Sequence, residues 1–274
     1  MHASSLHSGW IRRFGAVPAS LLLALFFLSP LGALVASSLE GSGANLAALV
    51  RDPIVLRAFG NSLLLALAAG TVSVVAGLPL AALLAEQPPA RRRWLLALLG
   101  VPLAFSGLVI AYGFILAFGR SGFVTGLLVH AGADPATVGT LIYTTAGLVA
   151  AYAYYLIPRV ALILYPAVAN LNRSLIDAAL TLGATPARAL VDVTLRELWP
   201  SIAAAWCLVT SIALGTYGTA LALAGTQINV LPLLIYLKLS DGQSDLPQAA
   251  VLSLLLMALC SCILALGEYL VRRR

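Results

Sequence analysis

Six long apolar runs, separated by shorter polar segments, account for most of the chain. They extend over Val17–Ser38, Ser62–Ala85, Trp94–Phe118, Leu141–Tyr165, Pro200–Leu223 and Gln248–Val271. A run of about 20 apolar residues is long enough to cross the hydrocarbon core of a bilayer as an α-helix. The runs are continuously apolar and do not alternate with polar residues as barrel strands do. The pattern therefore predicts an all-α membrane protein with about six transmembrane helices, with an N-terminal segment at 1–16 and a transmembrane domain at 17–271.

A polar stretch rich in helix-capping residues lies between the fourth and fifth runs, at residues 174–200. Ser174 followed three residues later by Asp177 is typical of a capping box, in which a serine oxygen and a carboxylate take up free backbone N–H groups. The residues that follow have an apolar face at helical spacing. Gly183 then stands where a helix commonly ends in a left-handed residue. The pattern predicts a short helix followed by a glycine turn.

A second short helix is predicted directly after that turn. Thr185 is a good N-cap residue, and Pro186 suits the first position of a helix. Arg188 and Asp192 have the spacing of an i,i+4 ion pair. The 174–200 segment is therefore predicted to be a helix–turn–helix. An ordinary loop with two helical stubs explains the same residues, and these residues alone do not distinguish a loop from a docking element.

Composition and charge place the chain in a membrane and give it an orientation. Hydrophobic residues make up 61% of the chain and charged residues 9%, against about 25% charged residues in an average soluble domain. The net charge of +6 comes largely from arginines on one side of the predicted spans: Arg12, Arg13, Arg91–Arg93, Arg173, Arg188, Arg196 and Arg272–Arg274. By the positive-inside rule, we expect both termini and the 174–200 segment to be cytoplasmic. Ala90 and Thr185 should then lie inside, and Asp134 and Asp241 outside. Basic clusters of this kind are usual beside membrane helices, so we expect no nucleic-acid partner.

The first apolar run can be compared with a cleaved signal peptide, because two arginines precede it. The run from Val17 to Val35 exceeds the usual core of about 7–15 residues, and the cleavage pattern near Ala36 is poor. We therefore interpret it as the first membrane helix.

Little in the sequence supports enzyme chemistry. The three histidines are not at a metal-binding spacing, and there is no glycine-rich phosphate loop. The three cysteines all fall in predicted spans, where we expect them to pack as small apolar residues; they are Cys207, Cys260 and Cys262. We expect no catalytic residue, no metal site and no cofactor in this chain.

The 174–200 segment resembles the EAA loop of the membrane subunits of bacterial binding-protein-dependent ABC importers. That loop reads Glu-Ala-Ala, three residues, glycine, and then a small-residue tripeptide. The residues that match are Asp177, Ala178, Ala179, Gly183, Ala184, Thr185 and Pro186. Two departures are present: Asp177 keeps the charge of the usual glutamate with a shorter reach, and Arg196 stands where a proline is usual, with Pro200 four residues on. The resemblance implies that the seven matching residues contact an ATPase.

The resemblance covers most of the chain beyond the first span. It is carried by Asn61–Leu63, Gly77–Ala81, Val101–Leu103, Gly215–Gly218 and Leu231–Tyr236. Within the family, these stretches look most like the permeases for polyamines, ferric iron, phosphonates, sulfate and thiamine. The resemblance implies the type I ABC importer permease fold, in the bacterial inner membrane and among its lipids.

The resemblance also implies partners. A second permease, identical or homologous, would complete the pathway, and a periplasmic substrate-binding protein would deliver the solute. Two cytoplasmic ABC ATPase subunits would bind ATP and Mg²⁺ and would receive the 174–200 segments in surface grooves. The chain itself would then be a pathway-forming importer subunit, and not an enzyme.

Four residues inside the predicted spans are candidates for the solute pathway: Tyr112, Tyr152, Tyr217 and Arg159. Charges inside membrane spans are candidates for function by default, and Arg159 can attract an anion. The alternative is that Arg159 reaches the cytoplasmic surface from a helix kinked at Pro158. Tyrosines equally form interface belts and packed cores, so both interpretations stay open here.

Two other functional classes are alternatives to an importer subunit. A secondary, ion-coupled transporter is expected to have an inverted repeat and ionisable residues in the middle of its spans, and neither is evident. A membrane-embedded hydrolase requires a nucleophile with its base, or paired acids, inside the spans. The sequence favours the importer subunit over both.

Overall fold

The computed structural model describes residues 5–40, 49, 51–224, 228–240 and 245–272, and in these ranges the regular secondary structure is helical. The α-helices are α1 (Ser5–Glu40), α2 (Pro53–Glu86), α3 (Pro89–Ala104), α4 (Gly107–Phe118), α5 (Phe123–His130), α6 (Pro135–Val138), α7 (Thr145–Ala169), α8 (Arg173–Thr181), α9 (Pro186–Ala189), α10 (Arg196–Gly215), α11 (Gly218–Ala224), α12 (Leu231–Ser240) and α13 (Leu246–Arg272). A 3₁₀ turn, Leu141–Tyr143, precedes α7, and a π-helical segment, Leu190–Leu195, joins α9 to α10.

Within the described ranges, six helical segments are long and apolar enough to cross a membrane. They are Ser20–Glu40, Pro53–Glu86, Gly107–His130, Thr145–Ala169, Pro186–Gly215 and Leu246–Arg272. The prediction of an all-α membrane fold with about six spans is therefore confirmed. Asp241, Arg273 and Arg274, which entered the orientation argument, lie outside the described residues.

The third predicted span, 94–118, is wrong as a continuous helix. Helix α3 ends at Ala104, Phe105 is extended (φ −90°, ψ 145°), and Ser106 begins a new helix by accepting a hydrogen bond from the Val109 N–H at 3.4 Å. A serine N-cap gives α4 its own start. The apolar pattern could not show the break, because the residues on both sides of it are apolar.

The fifth predicted span, 200–223, also differs from the observed helices. Helix α10 ends at Gly215, and Thr216 is extended (φ −77°, ψ 110°) before α11 begins. At the other end, the helical segment begins at Pro186, upstream of the predicted start at Pro200. The start of the fourth span is shifted as well, because Thr144 caps α7 by accepting from the Gly147 N–H at 3.3 Å.

The chain divides into two compact units. The first consists of Met1–Asp52 and Ile235–Leu255, and the second of Pro53–Leu234 and Leu256–Arg274. In the first unit, the Asp245 carboxylate caps the start of α13 by accepting from the Gln248 N–H at 3.4 Å. The Asp245 N–H donates to the Lys238 carbonyl at 3.3 Å, which ties the end of α12 to this cap.

The core of the second unit is built where α2 packs against both α7 and α10. Small residues allow these helices to approach closely. A Cβ added to Gly77 would lie 2.6 Å from Val160 Cγ1, so α2 and α7 leave no room for a side chain there. The Trp206 indole N–H donates to the Thr71 hydroxyl at 3.1 Å and links α10 to α2.

All three cysteines are free, but they do not share one environment. Cys207 is buried, Cys260 is half-buried, and Cys262 is exposed on α13. Cys207 packs opposite Gly267, where an added Cβ would lie 2.8 Å from Cys207 Cβ. The expectation of packed thiols therefore holds for Cys207 and is wrong for Cys262, which points out of the unit.

Candidate functional site

The 174–200 segment begins with a helix capped by Asn172. The Asn172 side-chain oxygen accepts from the Ser174 N–H at 3.2 Å and from the Ser174 hydroxyl at 2.7 Å. Helix α8 accordingly begins at Arg173, and Asp177 lies in its second turn, beyond the free N–H groups of the first. The predicted capping box of Ser174 and Asp177 is therefore wrong, and the exposed Asp177 carboxylate has no capping role.

The end of α8 forms the predicted left-handed glycine turn. Gly183 has φ +87°. Its N–H donates to the Leu180 carbonyl at 3.0 Å, and the Ala184 N–H donates to the Ala179 carbonyl at 3.0 Å. These two bonds are those of a Schellman motif. The prediction for Gly183 is confirmed, and the turn fixes Ala184 directly against the end of the helix.

The second helix of the segment begins as predicted. The Thr185 hydroxyl oxygen accepts from the Arg188 N–H at 3.3 Å, and Pro186 occupies the first helical position. Arg188 and Asp192 form the predicted i,i+4 ion pair at 3.2 Å. Because both side chains are exposed, the pair contributes little stability.

This second helix is continuous with a membrane-length helix. Helix α9, the π-helical segment and α10 together make the single helical segment Pro186–Gly215. The predicted boundary near Pro200 is therefore wrong, because Pro200 lies inside this helical segment, in the second turn of α10, and does not end it. The Gly183 turn therefore lies directly before a helix that runs into the core.

The 174–200 segment also exposes large apolar side chains. Leu182, beside the glycine turn, is 88% exposed. Other exposed apolar residues of the segment are Leu175, Leu180, Leu190 and Val191. Adjacent exposed apolar residues are typical of a protein-interaction surface.

A second candidate site is a cavity of about 150 Å³ at the two helix breaks. Phe105 and Gly107 line it from the break between α3 and α4, and Thr216 lines it from the break between α10 and α11. Arg159, half-buried on α7, and Tyr155 complete its polar lining. The remaining lining residues are Pro102, Leu103, Ile110 and Ile212.

Two tyrosines hold the break at Thr216 in place. The Tyr152 hydroxyl donates to the Thr216 carbonyl at 3.0 Å, and the Tyr155 hydroxyl donates to Thr216 Oγ1 at 3.2 Å. Thr216 Oγ1 in turn donates to the Ile212 carbonyl at 2.7 Å. Side chains of α7 thus provide hydrogen bonds to Thr216, which lies outside the helix. The Tyr155 and Thr216 hydroxyls, which line the cavity, already donate hydrogen bonds within the protein.

The predicted pathway residues do not gather at one place. Tyr152 is 1% exposed and belongs to the core, Tyr217 is half-buried against the core, and Tyr112 is exposed on α4. Arg159 is the one of the four that lines the cavity. Of its polar neighbours there, Tyr155 is one of the span tyrosines, and Thr216 lies in the Gly215–Gly218 stretch, whose glycines flank the helix break.

The loop between α5 and α7 carries an ionised capping residue. Asp134 accepts from the Thr137 hydroxyl at 2.6 Å and from the Ala136 N–H at 3.3 Å, and these hydrogen bonds lower the pKa of the Asp134 carboxyl. The cap is therefore fully formed above the ordinary carboxyl pKa, and it is lost as the pH falls through the lowered value.

Comparison with known proteins gives consistent matches over most of the chain. The sequence profile of the family described as "Binding-protein-dependent transport system inner membrane component" matches residues 77–274. The sulfate transport system permease protein CysT of Salmonella typhimurium is 30% identical over 241 residues, which cover 87% of this chain and 84% of CysT. The molybdenum transport system permease protein ModB of Mycobacterium tuberculosis is 30% identical over 224 residues, covering 80% and 81%. The spermidine/putrescine transport system permease protein PotB of Escherichia coli is 28% identical over 166 residues, covering 61% and 60%.

A solved structure matches almost the whole chain. It is a bacterial alginate ABC transporter in complex with an alginate pentasaccharide-bound periplasmic protein, and one of its chains gives a TM-score of 0.77. The match covers 98% of this chain and 96% of that one at 18% identity. Because the two sequences are only 18% identical, this similarity shows a shared fold and nothing more.

Proposed function

The chain belongs to the family of binding-protein-dependent transport system inner membrane components, and from this premise we propose that it forms the solute pathway of an ATP-driven importer. As a member of that family it is a multi-pass inner-membrane permease and not an enzyme, with the type I importer permease fold expected from the resemblance. The family match also favours this function over the alternative of an ion-coupled carrier that works without an ATPase.

The proposed assembly contains three kinds of partner. A second permease, identical or homologous, completes the pathway, and a periplasmic binding protein delivers a small polar solute or ion. Two cytoplasmic ATPase subunits bind ATP and Mg²⁺. The family description and the alginate transporter, whose structure includes a periplasmic protein, support the permease and binding-protein partners. The relatives are named for sulfate, molybdenum and spermidine/putrescine, which supports a small ion as the solute.

The 174–200 segment is the proposed contact with the ATPase. The observation that carries this proposal is its construction: exposed apolar side chains lie on both sides of a Schellman turn, and the helix that follows the turn is continuous with α10. Such an element presents a fixed surface to a partner and passes its movement to the core. Closure of the ATPase subunits would thus shift the pathway between its inward-facing and outward-facing states.

Charge reversal at Asp177 tests the ATPase contact. We expect Asp177→Lys to weaken association with the ATPase about tenfold or more, a loss of about 1.4 kcal/mol, because the exposed carboxylate would meet a basic groove. Asp177→Asn should have a smaller effect, because it removes the charge without reversing it, while the Asn172 cap of α8 is unchanged in every variant. Asp177→Glu should be tolerated. Co-purification of the ATPase and solute-stimulated ATP hydrolysis measure these effects.

Glu86→Lys is the matched control for this charge reversal. Glu86 is exposed at the end of α2, and by the arginine distribution it lies on the same side of the membrane as Asp177. Its reversal should leave ATPase association near the wild-type level. Equal association of the Asp177→Lys variant and wild type would show that the segment is not the coupling contact.

The orientation of the spans can be tested by cysteine labelling. In a background lacking the three native cysteines, we expect single cysteines at Thr185 and Ala90 to react only from the cytoplasmic side. A cysteine at Asp134, in the loop between α5 and α7, should react with an impermeant reagent from outside. The physical reason is the arginine excess on one side. Labelling of the Thr185 position from outside would contradict both the orientation and the ATPase contact.

A further inference from the structure

Arg159 occupies a position that a cation rarely takes inside a membrane helix. It lies about 15 Å along α7 from the helix end at Ala169 and about 21 Å from the start at Thr145, at a rise of 1.5 Å per residue. Its side chain is half-buried and borders the cavity at the two helix breaks. A charge at such depth costs several kcal/mol unless it has a partner or water, so the environment of the guanidinium is informative.

No carboxylate of the described residues pairs with Arg159. Helices α3, α4 and α7, which line the cavity, contain no acidic residue at all. The single acid of α10, Glu197, is exposed in the first turn, far along that helix from Thr216. Among the described residues, no ion pair to Arg159 is formed. Within the part of the chain that the structure describes, no side chain therefore occupies the planar set of N–H donors of this guanidinium.

The cavity has the size and polarity for a small anion. Its volume of about 150 Å³ is below the roughly 300–1,000 Å³ typical of sites for drug-sized molecules. The Tyr155 hydroxyl donates to Thr216 Oγ1, and the Thr216 hydroxyl donates to the Ile212 carbonyl. Among the side chains that line the cavity, the Arg159 guanidinium is therefore the donor that a ligand can use. The first residue of α4, Gly107, also borders the cavity, so the positive end of that helix dipole adds to the field of Arg159.

We infer that Arg159 contacts the transported solute in this cavity, and that the solute is a small oxyanion. A guanidinium binds the oxygens of a sulfate-like anion through two parallel N–H···O bonds, whereas it repels a polyamine or a metal cation. This inference rests on the proposed function and narrows its substrate class. The phosphate of a lipid headgroup has the same chemistry, so the two sources of the oxyanion must be separated by experiment.

The test uses the importer purified with its ATPase and binding-protein partners and reconstituted in liposomes. Wild type is offered labelled sulfate, molybdate, phosphate and putrescine in turn. We expect ATP-driven uptake of at least one of the three oxyanions and none of putrescine. Arg159→Gln should lower uptake of that oxyanion at least tenfold, and Arg159→Lys should retain more of it. Arg93→Gln, which removes an exposed arginine at the start of α3, should remain near wild type, and ATPase association should be unchanged in all variants.

Three outcomes would overturn the inference while leaving the importer function intact. They are uptake of putrescine, uptake of none of the three oxyanions by an importer that still binds its ATPase, and full oxyanion uptake by Arg159→Gln. Native mass spectrometry separates the lipid alternative. A phospholipid that is bound to wild type and lost from Arg159→Gln, with uptake unchanged, would assign the guanidinium to a lipid headgroup. Failure to bind any ATPase would instead contradict the proposed function itself.

Discussion

Replacing Gly183 by valine should reduce ATP-driven transport about tenfold or more, while the protein still inserts in the membrane. Gly183 has φ +87°, a conformation that costs a residue with a Cβ about 1–2 kcal/mol, and a β-branched residue more. A valine relieves that strain by leaving the left-handed region. It then breaks the hydrogen bonds to the Ala179 and Leu180 carbonyls and displaces Leu182 beside them. Uptake and ATPase co-purification measure the loss.

Two controls distinguish a lost contact from general strain. Asparagine tolerates the left-handed conformation better than other residues with a Cβ, so Gly183→Asn should restore most of the transport. Gly132 also has a positive φ, +96°, and both glycines have open space where a Cβ would be added. Gly132→Val therefore applies the same backbone strain in the loop after α5, and it should leave ATPase association unchanged. Normal uptake by Gly183→Val would show that the turn has no special role in coupling.

The turn could be predicted from the sequence because its determinants are local. Glycine at the end of an apolar-faced helix, followed by threonine and proline, specifies a left-handed cap and a new helix start within a few residues. The six spans were predictable for a similar reason, since length and continuous apolarity suffice. Membership of the importer family likewise follows from short motifs whose order and spacing are read along the chain.

Features that depend on competition between neighbouring residues were mispredicted. Ser174 and Asp177 have the spacing of a capping box. Asn172, however, lies two residues before Ser174, and its side-chain oxygen accepts hydrogen bonds from both the Ser174 hydroxyl and the Ser174 N–H. The helix therefore begins at Arg173, two residues before the start predicted with Ser174 as the N-cap, and Asp177 falls in its second turn. The break at Phe105 was missed because a capping serine inside an apolar run leaves the hydropathy unchanged.

The surroundings of Arg159 depend on tertiary structure, and the sequence could not supply them. Its charge is evident in the sequence, and so is the absence of acids from the helix that carries it. Its neighbours Phe105 and Thr216, however, come from helix breaks that are distant in the chain. Tyr152, predicted for the pathway, instead anchors the second break from inside the core. The orientation of the spans and the ATPase contact remain predictions.

The close packing of α2 against α7 gives the second large expected effect. Gly77→Leu should destabilise the folded protein by about 3 kcal/mol, at the upper end of the range for overpacking. A Cβ at this position would lie 2.6 Å from Val160 Cγ1, 2.7 Å from Val160 Cβ and 3.2 Å from the Ile157 carbonyl oxygen. Valine has few χ1 alternatives in a helix, and a carbonyl of the helix backbone cannot rotate away. The two helices must therefore separate.

Gly60→Leu is the matched control, because it places the same side chain on the same helix. Gly60 is exposed on α2 and has nothing within 4 Å of an added Cβ. Leucine is also a better helix former than glycine, so this variant should be as stable as wild type or slightly more so. Thermal unfolding of the purified protein, followed by size-exclusion chromatography, should show a transition several degrees lower for Gly77→Leu alone. If both variants unfold at the same temperature as wild type, α2 and α7 do not pack against each other at Gly77. The core that supports the cavity at Arg159 must then be arranged differently.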